Sequence, residues 1–218
     1  MALRTGSGSG TVRIGNSGEL QNITSVDATT AAAIGAGGVG GGLKELGSST
    51  FTTNYGSWEL TLPSGYDYHE LRGSWPVPAN SGFGGILFQF FDGNGGIISS
   101  GEYAYGGSIY NSFQADRDDY YGRLTGNYHN NATGSYIWGR MQIWDAYDTS
   151  VPTSWRWTCL QVSPSYLGGS AYFVELNGRM LNAEATSSTK FIASNAPSGV
   201  LATQTGRTDK VVKYGMNY

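Results

Sequence analysis

The sequence predicts an all-β chain: an antiparallel β-sandwich, jelly-roll-like, preceded by a short β-rich N-terminal stem. Three observations carry this. Glycine is abundant, at 34 of 218 residues, and charged residues make up only 13%. Tight turns draw on glycine because it enters positive φ without steric cost. Six Trp, 15 Tyr and 8 Phe supply the aromatic side chains that suit half-buried strands. Short alternating apolar and polar runs recur between turn residues, and no stretch reads as a convincing helix.

Residues 1–47 differ from the remainder, with no aromatic residue and a dominance of Gly, Ala, Ser and Thr. "GTVRIGNSGELQNI" reads as strand, turn, strand: Val12 and Ile14 alternate with Thr11 and Arg13, Gly15–Gly18 makes the turn, and Leu20 and Ile23 resume. Two such strands cannot bury their apolar face alone. The segment therefore reads as an anchor or oligomerisation stem, a homotrimer formed through Val12, Ile14, Leu20 and Ile23, or a dock on another protein. Its end, Gly35-Ala36-Gly37-Gly38-Val39-Gly40, spells G-x-G-x-x-G. That pattern cradles a pyrophosphate only between a buried strand and a helix of several turns. Here only "LKEL" separates Gly42 from Gly47, too short for a crossover helix. The glycines read as a hinge.

Residues 48–218 are expected to form the sandwich. "WELTLPSGYDYHELRGSW" puts Tyr68, Glu70 and Arg72 on one face and His69, Leu71, Gly73 and Trp75 on the other. "GGILFQFF" is an apolar strand closed by the hairpin turn Asp92–Gly96. "YIWGRMQIWDAY" and "SWRWTCLQV" flank "DTSVPTS" as a strand pair, "SAYFVELNGRM" carries a hairpin signal at Asn177-Gly178, and "VLATQTGRTDKVVKYGMNY" reads as a final pair turning near Gly206. About eight strands at this spacing suit an antiparallel sandwich.

The order "WELTLPSGYDYHELRGSWPVPANSGFGGILFQFFDGNGG", "TGSYIWGRMQIWDAY", "GVLATQTGRTDKVVKYGMN" resembles the β-sandwich domains of tailed-bacteriophage virion proteins of the tail-fibre and head-fibre kind. "GTVRIGNSGELQNITSVDATT" is similar to the trimeric stems of phage fibres. The resemblance covers most of the chain through turn glycines and strand aromatics. It implies a non-enzymatic virion protein, made in the host cytoplasm, that attaches to tail or capsid proteins through residues 1–47 and presents a receptor-binding domain. Repetition of weak sites would supply avidity.

The residues themselves offer little catalytic chemistry. His69 and His129 lack nearby partners, so no local metal motif exists, and no cofactor is expected. "DGNGG" at Asp92 echoes a calcium loop but lacks its remaining ligands. The lone Cys159 excludes an internal disulfide and reads as a buried small hydrophobe. Asp116, Asp118 and Asp119 in "ADRDDYYGR" read as a polar loop paired with Arg117 and Arg123, with glycosidase carboxylates as the alternative. A net charge of −3 without a basic block argues against nucleic acid as partner. No apolar run is long enough for a signal peptide or a membrane span.

The richest recognition signal is Tyr103, Tyr105, Tyr110, Tyr120, Tyr121 and Tyr128, interleaved with Gly, Ser, Asn and Asp. Such tyrosines either form a surface for a host glycan or protein, or pack the core and subunit contacts. The alternatives to a fibre are a capsid decoration protein, a polysaccharide-degrading spike and a free carbohydrate-binding module.

Overall fold

The computed structural model describes residues 13–14, 20–21, 42–52, 57–78, 85–98, 102–109, 112–119, 121–125, 134–162, 171–193, 201–202 and 208–217. Every regular element among them is a strand. The chain divides into two compact units, Met1–Gly42 and Leu43–Met216. In the first, β1 (Arg13–Ile14) pairs antiparallel with β2 (Leu20–Gln21), Ile14 opposite Leu20. This is the strand–turn–strand expected there; Val12, Ile23 and the Gly35–Gly40 pattern lie outside the described residues.

The second unit is a sandwich of two antiparallel sheets. One, of eight strands, is built from β3 (Lys44–Phe51), β5 (Tyr68–Trp75), β8 (Tyr103–Ile109), β9 (Ser112–Asp119), β11 (Tyr136–Trp144), β12 (Ser154–Val162), β13 (Ala171–Met180) and β16 (Asp209–Met216). Their order is β3-β16-β5-β11-β12-β13-β8-β9. The other, of four strands, contains β4 (Ser57–Thr61), β7 (Ile86–Asp92), β10 (Gly122–Arg123) and β14 (Thr186–Ala193), in the order β10-β7-β14-β4. β6 (Val77–Pro78) and β15 (Leu201–Ala202) form a small separate pair. β3 starts at Lys44, so Leu43–Gly47, read from sequence as part of the stem, belongs to the sandwich unit.

Between the sheets lies an aromatic core. Trp58, Phe88, Phe90 and Phe191 of the smaller sheet meet Trp75, Tyr103, Trp155 and Trp157 of the larger. Trp75 and Trp157 meet edge to face at 4.8 Å, as do Phe88 and Trp155 at 4.9 Å. That geometry sets the positive ring edge against the negative face, worth about 0.5–1.5 kcal/mol per pair beyond area burial. The strands alternate as expected: along β11, Ile137, Gly139, Met141 and Ile143 are buried and the residues between them are not.

Two local signals are overruled by this packing. Asn177-Gly178 is not a turn; it sits inside β13, with Asn177 opposite Arg156 and Gly178 opposite Trp155. Glycine is needed there for room, because a Cβ on Gly178 would lie 2.2 Å from the Trp155 indole. Nor do the last two strands pair with each other: β15 joins β6, and β16 runs between β3 and β5. The sheet's own edges outcompete a local hairpin. Likewise Asp116, Asp118 and Asp119 belong to β9 rather than a loop, paired to β8. β9 is the last strand of its sheet among the described residues, and charge on such a strand discourages further pairing.

Candidate functional site

The outward face of the eight-stranded sheet carries the site, and strand register builds it. On β11 the outward residues include Trp138 and Arg140, on β12 Thr158 and Leu160, and on β13 Phe173. Trp138 lies opposite Leu160, which lies opposite Phe173 on its other side. Three large apolar side chains thus cross three adjacent strands in one row. They remain 58%, 39% and 60% exposed, respectively. Beside this row Arg140 lies opposite Arg72 of β5 on one side and Thr158 on the other. An open concavity of about 320 Å³ lies among Arg72, Trp138, Arg140, Thr158, Leu160 and Phe173.

The two arginines differ. Arg72 is held by Glu70, whose Oε1 accepts from the guanidinium Nε at 2.7 Å and from Nη2, and its guanidinium also lies 5.2 Å from the Tyr214 ring centre. Glu70 is 1% exposed although it faces outward. Tyr68 donates to its other oxygen at 2.6 Å and accepts from Gln142 Nε2 at 2.8 Å, while the Trp144 ring lies 5.5 Å from that of Tyr68. Burial, and next the bond to Glu70, hold the Tyr68 phenol protonated well above the usual tyrosine range. This network anchors Arg72. Arg140 forms no ion pair among the described residues, and the neighbouring Arg156 is paired with Glu175 at 2.5 Å. The concavity therefore combines flat apolar walls, a hydroxyl and one uncommitted guanidinium. Such groups stack on rings and pair with anions.

The tyrosines expected to form a recognition surface are placed differently. Tyr103 and Tyr105 face the core, 0% and 8% exposed, so neither is open to a ligand. The hydroxyl of Tyr103 accepts from Phe90 N at 2.7 Å and donates to Ile98 O at 2.8 Å. Their parity on β8 is that of Ile109, the inward one. Tyr121 is half-buried beside β10, and Tyr110, Tyr120 and Tyr128 lie outside the described residues.

His69 is 1% exposed, its Nε2 bonded to Pro63 O at 2.8 Å, with the Tyr66 and Tyr147 rings nearby. Burial lowers its pKa. His129 lies outside the described residues, among which no metal-ligating cluster occurs. Asp92 is a turn residue: its Oδ1 accepts from Asn94 N at 2.8 Å and Gly96 N at 2.7 Å.

Sequence reasoning missed Trp138, Leu160 and Phe173, yet a signal existed. Each falls at the polar parity of its strand, among Arg140 and Gln142, Arg156 and Thr158, or Glu175 and Asn177. Large apolar residues in the solvent register of three consecutive strands call for a reason. Compared with known proteins, the chain matches no family model, no curated protein and no solved structure.

Proposed function

We propose that the chain is a non-enzymatic structural protein of a tailed-phage virion, a fibre-like appendage that attaches or trimerises through its N-terminal segment and presents the sandwich to a host surface. The observation that carries this reading is the outward face of the eight-stranded sheet. A sheet closed on one side by an aromatic core holds, on the other, the exposed row Trp138, Leu160 and Phe173 beside an arginine outside any salt bridge among the described residues, with Phe113 of β9 exposed farther along the same face, an arrangement made for contact. The concavity is lined by residues of β5, β11, β12 and β13, and the acidic β9 strand lies beyond β8, two strands from β13. The resemblance of the quoted strands to phage sandwich domains, and the paired β1 and β2, support the appendage setting.

The test is location. Particles purified from a culture that carries the gene should contain the full chain, in multiples of three per attachment point, by immunogold labelling and quantitative mass spectrometry. A chain that stays in the particle-free fraction would overturn the reading.

A further inference from the structure

We propose that the concavity on the eight-stranded sheet binds an acidic saccharide, with Trp138 and Phe173 against the sugar rings and Arg140 pairing with a carboxylate. The inference rests on the reading of this face as a recognition surface and names what it recognises. A pyranose ring has an apolar C–H face and a polar rim. The exposed Trp138 and Phe173 suit the first, and the Thr158 hydroxyl suits the second.

The charge argues for an anion. Arg140 and Arg72 stand directly opposite each other on neighbouring strands, a like-charge pair that costs stability unless something answers it. Buried Glu70 answers Arg72. Arg140 forms no salt bridge among the described residues, and its charge is felt only by the neutral Tyr68 phenol at the edge of the Glu70 network. A guanidinium offers a planar fork that matches a carboxylate in two parallel hydrogen bonds. Its position beside the Trp138 row puts the charge at the edge of the stacking surface, where a uronic or sialic acid carries its carboxylate relative to its ring.

A second copy of the chain fits less well. A two-fold contact with its axis at Arg140 would set the Arg140 side chains of both copies against each other, a like-charge contact. The concavity, at about 320 Å³, also lies in the range of small-ligand pockets, ~300–1,000 Å³.

The experiment uses the full chain, intrinsic tryptophan fluorescence and calorimetry. Trp138 is 58% exposed and Trp58, Trp75, Trp155 and Trp157 are at most 6% exposed, while Trp144 is half-buried on the same face outside the concavity, so in a Trp144→Phe background a ligand here should change the emission chiefly of Trp138. Oligogalacturonate, oligoglucuronate and a sialylated oligosaccharide are titrated, each beside its fully methyl-esterified, neutral counterpart. At least one acid should bind at millimolar concentration or below. Its neutral form and the Arg140→Gln variant should bind about ten- to a hundredfold more weakly, the loss expected for a charge-assisted hydrogen bond. Trp138→Ala should abolish binding while keeping the melting temperature. Phe113→Ala, on β9 and outside the concavity, should bind as the parent does. Equal binding of acid and ester, or no binding of any of the three acids, overturns the proposal. So does a Trp138 signal that follows protein concentration alone, together with dissociation of the chain by Trp138→Ala in light scattering, since the face is then a subunit contact. Saccharide binding by a chain absent from particles would sink only the virion reading, and particles containing a chain that binds no acid would sink only this one.

Discussion

Removing one oxygen atom, by Tyr103→Phe, separates the structural account of this tyrosine from a recognition role. The ring is 0% exposed, set edge to face with Phe88 at 6.0 Å and stacked with Phe90 at 6.3 Å, and phenylalanine preserves all of that. What is lost is a hydroxyl that accepts from Phe90 N at 2.7 Å and donates to Ile98 O at 2.8 Å, tying β7 to the strand end that follows the Asp92 turn. Burial keeps the phenol protonated, so it remains a donor at any ordinary pH. Two buried backbone groups lose their partner, each at a cost of about 1–3 kcal/mol. A combined loss of roughly 2–4 kcal/mol is expected, allowing partial relaxation. That is a large fraction of the ~5–15 kcal/mol that holds a domain folded. For a unit of this size it lowers the melting temperature by about 5–15 °C. Urea titrations of the parent and variant full chains, followed by fluorescence, should show the midpoint falling with an unchanged slope. A shift worth less than about 0.5 kcal/mol, the range of ordinary surface substitutions, would refute the reasoning.

Other outcomes follow from the same packing. Gly178→Ala places a methyl 2.2 Å from the Trp155 ring and 2.7 Å from Ala104 O, so thermal melts should show a loss of about 1–3 kcal/mol or more; an unchanged melting temperature would contradict the close approach of indole and backbone. Burial pushes the Cys159 thiol up to about 12, so the native chain should resist a disulfide reagent at pH 8 and react with one equivalent only in denaturant. His69 is lowered below its ordinary value by burial, so the unfolded chain takes up a proton where the folded one does not. Stability is then fully present above pH ~6.5 and lost as pH falls toward the folded value, at up to about 1.4 kcal/mol per pH unit. His69→Gln should flatten that limb of the profile, and an unaltered slope would rule His69 out as its source.

Local chemistry made much of the fold legible. The Asp92–Gly96 turn closes as read, because an Asp side chain capping backbone N–H groups two and four residues on requires nothing from the remainder of the chain. The strands around Tyr68, Met141 and Trp157 follow from alternation, since a pleated strand sends successive side chains to opposite faces, and the one at Ile86 from a short apolar run bounded by a turn. Alternation also assigns Tyr103 and Tyr105 a common face, without saying that it is the inner one.

What the tertiary structure decided was which strands meet, and so what each face carries. Asn177-Gly178 has the composition of a turn, yet the Trp155 indole needs the space beside Gly178, and long-range pairing with β12 outweighed a local preference. The residues after Leu201 could have closed a hairpin, but β5 and β3 offered β16 two strand edges instead of one. The Trp138–Leu160–Phe173 row, with Arg140 beside it, exists only because β11, β12 and β13 align in that register. Sequence alone determined that the chain would be β and aromatic, because turn conformations and side-chain parity are properties of neighbouring residues. Which aromatics became core and which became surface was left to the pairing of strands distant in sequence, because a face is buried only when another sheet covers it.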